Sequence, residues 1–271
     1  MSDRFDEAFD LEGAVTVVTG ATRGIGRAAA LALGRSGAEL VLVGRSTHER
    51  PDAFAPGTLE EVVDQVRAEG IEAIGVQADL TDPVQVGTVV ERTLEWRGRC
   101  DVLVNNAAYT SNGPILEVPA RRWQIGFQMQ VTTPLQLCQA FVPGMLERGS
   151  GRVLNIGTRA ARDLLENLAL YGVTKTAAER MTQFLDSEAG GRGVSFNVFC
   201  IDQVVTTEGW HVVLENQGEE IAMGGYTATE LVSPEECATI IEWMVRQPSS
   251  WSGQSLMIDE LRALQESATT S

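Results

Sequence analysis

The sequence predicts an α/β fold in which a doubly wound parallel sheet of about seven strands is flanked by helices in a single domain. Short apolar runs rich in valine, leucine and isoleucine alternate with helical segments along most of the 271 residues. Most of these runs have no polar side, which is typical of strands buried on both faces of a parallel sheet. A glycine-rich turn joins the first run to the first helix.

The strands and helices are expected to alternate in chain order. The predicted strands are 14–19, 39–44, 72–77, 101–105, 152–156, 194–199 and 255–258, and the predicted helices are 27–33, 58–69, 83–96, 119–147, 171–188 and a last long helix that opens at Ser233. We interpret residues 14–262 as the one domain, residues 1–13 as a polar lead and residues 263–271 as a frayed tail.

Local signals support these boundaries. Gly34 ends an alanine-rich first helix, and Pro83 opens the third helix directly after a capping aspartate. Loop 46–57 is longer than a strand-to-helix connection needs. The apolar positions of helix 119–147 form a face wider than packing against the core of one subunit requires, so we expect another subunit to cover part of it.

Composition argues against several classes of protein. A net charge of −16 argues against a nucleic-acid or anionic-membrane partner. No apolar run approaches the ~20 residues that span a bilayer, and the acidic start has no basic-then-apolar signal, so we expect a cytoplasmic protein. The four cysteines lack metal-binding spacing and the two histidines are far apart, so no metal site is predicted.

The glycine turn between the first strand and the first helix predicts a phosphate cradle. In the pattern G-x-x-x-G-x-G, Gly20 permits the tight turn, Gly24 lets a pyrophosphate approach the backbone, and Gly26 allows close helix packing. The first helix then offers free N–H groups and the positive end of its dipole. The residues expected to contact a dinucleotide here are Gly20, Thr22, Arg23, Gly24, Ile25 and Gly26.

The second strand ends at a basic residue, Arg45. In dinucleotide sites this strand end faces the adenosine ribose, where an acid binds the free hydroxyl of NAD and an arginine accommodates the 2′-phosphate of NADP. Arg45, with Arg23 from the glycine turn, favours NADP (NADPH) over NAD. The alternative is that both arginines are solvated surface residues.

Polar and small residues follow two further strands. Asp79 comes just past the third strand and is positioned to bond an adenine amino group, with Leu80 beside it. Asn106 and Ala107 follow the fourth strand, where an amide can hold the cofactor or tie strands together and a small side chain admits a planar ligand. The carboxyl ends of parallel strands share one edge, so we expect these residues to meet there.

Tyr171 and Lys175 are four positions apart on a predicted helix and therefore project from the same face. Free tyrosine titrates near pH ~10, so a phenol needs a neighbouring cation to exchange its proton at neutral pH. Thr158, a short loop upstream, offers a hydroxyl that can orient the reacting oxygen. The alternative is a half-buried aromatic beside a solvated charge.

Residues 203–232 break the alternation of strand and helix and follow the carboxyl end of a strand. We interpret them as a mobile substrate lid. Its larger side chains predict a mainly apolar pocket, although such residues also fill ordinary cores. They are Trp210, His211, Val212, Met223 and Tyr226.

Together these motifs resemble those of the short-chain dehydrogenase/reductase family over nearly the whole chain. The matching residues are Thr19 to Gly26, Asp79, Asn105 to Ala108, Thr158, Tyr171-x-x-x-Lys175, Asn197, Val204-x-Thr206, Trp251 to Gln254 and Asp259. The resemblance implies a Rossmann-type fold, cofactor contacts at Val204 and Thr206, a small carbonyl or alcohol substrate, and a homodimer or homotetramer.

The resemblance also implies roles for the catalytic candidates. Tyr171 would donate a proton to a ketone oxygen as hydride arrives from the cofactor. Lys175 would hold the nicotinamide ribose and lower the tyrosine pKa, and Thr158 stands where the family usually has serine.

Three positions depart from the family pattern. Gln130 replaces the usual catalytic asparagine, which shapes its helix so that a backbone carbonyl holds the water chain leading to the lysine. Asp202 stands in place of the usual glycine after the sixth strand, where its carboxylate would favour the oxidised nicotinamide if it faced the ring. Ala108 replaces a glycine, which is a mild change.

The sequence therefore predicts an NADP-dependent oxidoreductase that interconverts a ketone and a secondary alcohol. Two alternatives stay open. The chain could be a dinucleotide-binding sensor or scaffold that has lost redox activity, or a non-redox acid/base enzyme on the same fold. The substitutions at Gln130 and Asp202 motivate the first alternative, whereas the presence of Tyr171, Lys175 and the Thr158 hydroxyl argues against it.

Overall fold

The computed structural model describes residues 7–218 and 231–269. The strands, in chain order, are β1 (Val15–Thr19), β2 (Glu39–Gly44), β3 (Ala73–Gln77), β4 (Val102–Asn105), β5 (Gly151–Thr158), β6 (Val194–Ile201), β7 (Val204–Val205), β8 (Leu231–Val232) and β9 (Ser255–Met257). Within these residues, seven parallel strands form one sheet in the order β3-β2-β1-β4-β5-β6-β9. Strands β7 and β8 pair separately.

Helices cover both faces of the sheet. They are α1 (Gly24–Arg35), α2 (Leu59–Ala68), α3 (Pro83–Arg97), α4 (Ala120–Phe127), α5 (Thr133–Arg148), α6 (Ala169–Ala189), α7 (Glu208–Gln217), α8 (Pro234–Arg246) and α9 (Ile258–Thr269). A search of the described residues finds no helix with the length and apolarity that crossing a membrane requires.

The side chains of β2 explain why its four central residues are all apolar. Leu40 and Leu42 contact the layer formed by α1, α2, α8 and α9, whereas Val41 and Val43 contact the opposite layer, which contains α3 and α5. All four side chains are fully buried. Burying a side chain of this size contributes roughly 1.5–3 kcal/mol. Both faces of the strand therefore have to be apolar, and the predicted doubly wound parallel sheet is confirmed.

The order of the strands reverses between β1 and β4. The chain runs outwards from β1 to β3 and then returns to pair β4 with the other side of β1, with Thr16 opposite Val102. A crevice opens at the carboxyl ends of the strands at such a switch point. The residues that follow β1, β2, β4 and β5 meet along this edge.

The helix predicted at 119–147 is not one continuous α-helix. A π-helical turn, Gln128–Thr132, separates α4 from α5, and the N–H of Thr133 bonds to the carbonyl of Gln128. Pro134 has no N–H and cannot close the α-helical bond to the carbonyl of Gln130. The proline therefore favours a widened turn here, and turns of this kind occur frequently at functional sites.

The end of the chain also differs from the sequence prediction. Residues 263–269, expected to be a frayed tail, continue helix α9 as far as Thr269. Ile258 and Leu261 are fully buried in the core beside α8, which anchors the helix. The carboxylate of Glu260 accepts a hydrogen bond from the N–H of Met257 at 2.8 Å and supports the first turn.

The segment predicted as a lid is partly regular. Val204 and Val205 pair in parallel with Leu231 and Val232, and α7 follows directly. The hydroxyl of Thr207 caps α7 by accepting from the N–H of Trp210. Met223 and Tyr226, which the sequence also assigned to the lid, lie outside the described residues.

Candidate active site

Thr158, Tyr171 and Lys175 line one cavity of about 390 Å³ at the carboxyl edge of the sheet. Thr158 is the last residue of β5, and α6 starts at Ala169 after a short connection. The strand and the helix therefore bring together three of the four catalytic residues predicted from sequence. Gln130, the fourth, is not among the residues that line this cavity.

Lys175 is held beside Tyr171 by its own helix and by β5. Its Nζ lies 5.6 Å from the centroid of the Tyr171 ring and donates to the carbonyl of Ile156 at 2.5 Å. The side chain is 4% exposed, and burial lowers the pKa of Lys175 to about 8. At neutral pH the amine therefore remains mostly protonated and can stabilise a phenolate on Tyr171.

The hydroxyl of Thr158 is oriented by the turn that follows β5. Its Oγ1 accepts a hydrogen bond from the N–H of Ala160 at 3.3 Å, and the side chain is 8% exposed. This bond uses a lone pair and not the hydroxyl proton. The hydroxyl of Thr158 can therefore donate a hydrogen bond to an oxygen atom in the cavity.

Gln130 is buried outside the cavity and connects the loop after β4 to helix α6. Its Oε1 accepts from the N–H of Tyr109 at 2.9 Å, and its Nε2 donates to Oγ1 of Thr174 at 2.6 Å. The side chain is 2% exposed. Both ends of the amide therefore bond to the protein, which favours a role of Gln130 in positioning α6, and its predicted catalytic role stays a prediction.

The glycine turn forms a cradle without side chains next to the cavity. Gly20 has φ of +66°, and a Cβ at Gly26 would lie 2.2 Å from the carbonyl oxygen of Gly20. Asn106 holds the turn in place, since its Nδ2 donates to the carbonyls of Thr19 and Gly20 at 2.8 and 3.1 Å. Gly24, together with Gly26, lines the same cavity as the catalytic candidates.

A second cavity, of about 470 Å³, extends from the glycine turn towards β2 and β3. The residues that line both cavities are Arg23, Asn106 and Ala108, so the two form one continuous trench. The predicted cofactor residues in the second cavity are Gly20, Thr22, Arg23, Arg45, Asp79, Leu80, Asn106 and Ala107. A long trench over a bare glycine turn, basic at one end and with Tyr171 at the other, suits a dinucleotide.

Asp79 is already bonded within its own turn. One carboxylate oxygen accepts from the N–H and the hydroxyl of Thr81 at 2.9 and 2.7 Å. Leu80 is 5% exposed, and its carbonyl accepts from the hydroxyl of Thr133 at 2.6 Å. These bonds fix the wall of the cavity beside β3.

Arg23 and Arg45 converge at the far end of the trench, as the sequence predicts, but they share a partner there. Oδ2 of Asp52 lies 2.9 Å from Nη2 of Arg45 and 3.5 Å from Nη2 of Arg23. Asp52 belongs to the long loop 46–57, and it lines the second cavity. The end of the trench therefore holds two positive charges and one negative charge.

Two predicted cofactor residues do not line either cavity. The N–H and the hydroxyl of Thr206 both bond to the carbonyl of Val232, at 3.0 and 3.4 Å, and Val204 pairs with Leu231. The residues of this segment that line the first cavity are Gln203, Val205 and Thr207. Pairing of β7 with β8 explains the difference, because alternate side chains of a strand face opposite sides.

The described residues contain no cluster of three or more histidine, cysteine or acidic side chains that could hold a metal ion.

Comparison with known proteins agrees with this geometry. The family described as short chain dehydrogenase matches residues 14–217. Cyclohexanol dehydrogenase of Rhodococcus sp. (strain TK6) is 30% identical over 268 residues, which cover 92% of this chain and 96% of that protein. The chain belongs to the short-chain dehydrogenase/reductase family.

Other members of the family are similar in sequence or in structure. The 3-oxoacyl-[acyl-carrier-protein] reductase of Synechocystis sp. (strain ATCC 27184 / PCC 6803 / Kazusa) is 30% identical, over 92% of this chain and 96% of that protein. The crystal structure of L-sorbose reductase from Gluconobacter frateurii with NADPH and L-sorbose has a TM-score of 0.81 at 27% identity and covers 92% of this chain and 97% of its own. A metagenomic short-chain oxidoreductase in complex with NADP has a TM-score of 0.73 at 26% identity, with 92% and 98% covered.

Membership of the short-chain dehydrogenase/reductase family confirms the resemblance seen in the sequence and makes the chain an oxidoreductase. The match spans Thr158, Tyr171 and Lys175, and it ends within α7. The residues after α7 lie outside it.

Asp202, a departure from the family pattern, faces away from the cavity. Its Oδ1 accepts from the N–H of Ile258 at 3.2 Å, at the start of α9, and burial raises the pKa of Asp202 above its ordinary value. Ile201 and Gln203 line the cavity, whereas Asp202 does not. The expectation that its carboxylate would favour an oxidised nicotinamide is therefore corrected.

Sequence reasoning missed two acidic residues that contact residues lining the trench of this short-chain dehydrogenase. Asp52 sits between the two arginines, and its only sequence signal is the unusual length of loop 46–57. Glu208, the first residue of α7, accepts from the N–H of Gly24 at 2.8 Å. No local pattern predicts that bond, because its two partners are 184 residues apart.

Proposed function

We propose that this short-chain dehydrogenase interconverts a ketone and a secondary alcohol with NADP(H). The observation that carries the proposal is the single cavity in which Thr158, Tyr171 and Lys175 lie beside the glycine turn. The cofactor, when bound, would supply hydride to the carbonyl carbon or accept it from the alcohol carbon. The side chains described below handle the proton at the oxygen atom.

In the reduction, Tyr171 donates its phenol proton to the substrate oxygen. The ammonium of Lys175, 5.6 Å from the ring centroid, stabilises the phenolate that is left. The hydroxyl of Thr158 donates to the same oxygen and fixes its orientation. In the oxidation each transfer runs in reverse, and Tyr171 takes the proton from the alcohol.

NADP is the preferred cofactor in this proposal. Arg23 and Arg45 line the trench beside β2, where a 2′-phosphate would meet both guanidiniums. The similar structures that carry NADPH and NADP support this choice. Val204 and Thr206 contact β8 and line neither cavity of the trench. In this proposal they hold segment 203–207 in position beside the cofactor.

The substrate is proposed to be a small carbonyl compound or the corresponding alcohol. Apolar residues such as Ile201 and Val205 line the cavity of Tyr171 together with polar residues such as Gln203 and Thr207. The relatives named above act on cyclohexanol or a 3-oxoacyl chain, or bind L-sorbose, which span both cyclic and open-chain compounds.

Two measurements test the proposed function. Titration of the protein with NADPH and with NADH, followed by the cofactor fluorescence, should give saturable binding with tighter binding of NADPH. Loss of NADPH absorbance is then recorded with a panel of cyclic and open-chain ketones. Tight binding without turnover of any ketone would favour a sensor, and product formed without loss of NADPH would favour a non-redox enzyme.

A further inference from the structure

Loop 46–57 places a carboxylate between the two arginines that are proposed to recognise the 2′-phosphate. Oδ2 of Asp52 contacts Nη2 of Arg45 at 2.9 Å and Nη2 of Arg23 at 3.5 Å. The side chain of Asp52 is 8% exposed, whereas that of Arg45 is 64% exposed. The carboxylate is therefore the enclosed member of the cluster, and the guanidinium of Arg45 lies over it at the surface.

The loop is built to hold this carboxylate. Oδ1 of Asp52 accepts from the N–H groups of Phe54 and Ala55 at 2.8 and 3.3 Å. The carbonyl of Ala55 in turn accepts from Nη1 of Arg23 at 2.9 Å. Burial acts to raise the pKa of Asp52, but the N–H groups and the guanidiniums outweigh it and hold that pKa below its ordinary value. Asp52 is therefore ionised at neutral pH.

Asp52 also faces the space that an adenosine ribose would use. It lines the second cavity together with Arg23, Arg45 and Asp79. One carboxylate oxygen of Asp79 accepts two hydrogen bonds from Thr81. Asp52, in contrast, contacts the guanidiniums of Arg23 and Arg45 directly.

The charges of this cluster decide what it binds. Two guanidiniums and one carboxylate carry a net charge of +1, and a 2′-phosphate would have to share their N–H donors with the carboxylate. A free 2′-hydroxyl meets no such repulsion and can donate to a carboxylate oxygen.

We propose that Asp52 is a specificity-determining residue, whose carboxylate weakens binding of the 2′-phosphate and so admits NADH alongside NADPH. The inference rests on the proposed function, since it assumes that the trench binds a nicotinamide dinucleotide.

The test is the variant Asp52→Asn, which keeps the side-chain oxygen for the loop N–H groups and removes the negative charge. Dissociation constants for NADPH and NADH are measured by fluorescence titration. We expect the ratio of the NADH constant to the NADPH constant to rise by about tenfold or more in the variant. Competition with 2′,5′-ADP and 5′-AMP should show the same change, because these probes differ only in the 2′-phosphate.

Two further variants make the result specific. Asp64→Asn removes one negative charge from the exposed side of α2 and should leave the ratio unchanged. Asp52→Ser retains an oxygen that can accept from the loop N–H groups, and it carries the same expectation as Asp52→Asn if the latter does not fold. Thermal unfolding of each variant without cofactor establishes that it is folded.

The wild-type protein gives an independent measurement. It should bind 2′,5′-ADP no more than about tenfold more tightly than 5′-AMP. A much stronger preference of the wild type for 2′,5′-ADP would overturn the inference. A ratio of NADH to NADPH dissociation constants that stays unchanged or falls in Asp52→Asn would also overturn it. So would an effect of Asp64→Asn equal to that of Asp52→Asn. If the wild-type protein bound neither NADPH nor NADH, the proposed function itself would fail, which is a different result from binding that ignores Asp52.

Discussion

The side-chain amide of Gln130 donates a hydrogen bond of 2.6 Å to the hydroxyl of Thr174, the residue directly before Lys175. The same amide accepts from the N–H of Tyr109 at 2.9 Å. Gln130 is 2% exposed, and Thr174 is fully buried. Gln130 therefore connects the loop after β4 to the helix that carries Tyr171 and Lys175, and we propose that it acts on catalysis through the position of that helix.

Replacing Gln130 by the shorter asparagine should weaken both stability and turnover. One amide can no longer reach Tyr109 and Thr174 together, and an unsatisfied buried polar group costs about 1–3 kcal/mol. We expect the free energy of unfolding to fall by about 1–2 kcal/mol. The value of kcat should fall several-fold while KM stays nearly constant, because the substrate contacts are unchanged. Urea unfolding and steady-state kinetics measure these effects.

A double-mutant cycle with Thr174→Val identifies the route of this effect. If Gln130 acts through Thr174, the losses of kcat in the two single variants should not add in the double variant. Additive losses would contradict the positioning role. Gln136→Asn is the matched control in α5, because Oε1 of Gln136 is buried without a hydrogen-bond partner among the described residues.

Tyr171→Phe should abolish turnover and leave cofactor binding nearly unchanged. The phenol is proposed to transfer a proton only in the transition state, and such catalysis contributes about 10²–10⁴-fold in rate. We expect kcat to fall by that factor, with the dissociation constant for NADPH close to that of the wild type. Tyr109→Phe, which alters a tyrosine of the second cavity, should retain activity. Retained activity in Tyr171→Phe would remove this residue from the mechanism.

Lys175 should make the stability of the protein depend on pH in a defined window. Burial lowers the pKa of Lys175 to about 8, whereas lysine in an unfolded chain titrates near 10.4. Between these values the unfolded state holds a proton that the native state has released, so stability rises with pH. Below pH 8 both states are protonated and the cost of burying the cation is constant.

The variant Lys175→Met isolates this contribution. The free energy of unfolding of the wild type minus that of the variant should increase on the order of 3 kcal/mol from pH 8 to about 10.5. Urea unfolding at several pH values, with a thiol reductant because the chain has four free cysteines, provides the measurement. A difference that stays constant from pH 8 to about 10.5 would show that burial does not lower the pKa of Lys175.

Local features of the sequence were sufficient to predict the sheet and the placement of Tyr171 beside Lys175. The four central residues of β2, from Leu40 to Val43, contact the two apolar layers alternately, so burial requires an apolar side chain at each of these positions. Tyr171 and Lys175 are placed by the pitch of a single helix. For these two features, the interpretation of one element alone agrees with the structure, whereas the single helix predicted at 119–147 is interrupted by a π-helical turn.

Contacts between distant parts of the chain could not be predicted in this way. Asp52 reaches Arg23 because of the path of a loop, and Glu208 reaches Gly24 across 184 residues. Thr206 turns towards Val232 only because β7 pairs with β8. Helix α9 extends beyond the predicted end of the domain because Leu261 is buried in the core, and this burial depends on the tertiary fold.

Arg45→Asp should move the cofactor preference from NADPH towards NADH. A carboxylate at this position repels a 2′-phosphate and, with Asp52 close by, leaves Arg23 as the only guanidinium of the cluster. We expect the ratio of the two dissociation constants to change by at least about tenfold. Arg92→Asp makes the same charge change at an exposed pair with Glu95 and serves as the control. An unchanged preference would point to Arg23 or to another basic residue, such as Arg50, which lines a neighbouring cavity with Arg45 and Asp52.

Glu208→Gln tests whether the carboxylate of Glu208 and the cofactor compete for the N–H groups in the first turn of α1. Oε2 of Glu208 accepts from the N–H of Gly24 at 2.8 Å, at the helix end where a pyrophosphate would bind. Without the cofactor, the loss of this charge should lower the free energy of unfolding by about 0.5 kcal/mol. Removal of a competing anion should strengthen NADPH binding several-fold.

The control for Glu208 is Glu215→Gln, an exposed change on the same helix that should alter neither quantity. The two effects of Glu208→Gln have opposite signs, so a general loss of structure cannot produce both. Unchanged NADPH binding with reduced stability would mean that the carboxylate and the pyrophosphate use different N–H groups. Glu208 would then only stabilise the contact between α7 and α1.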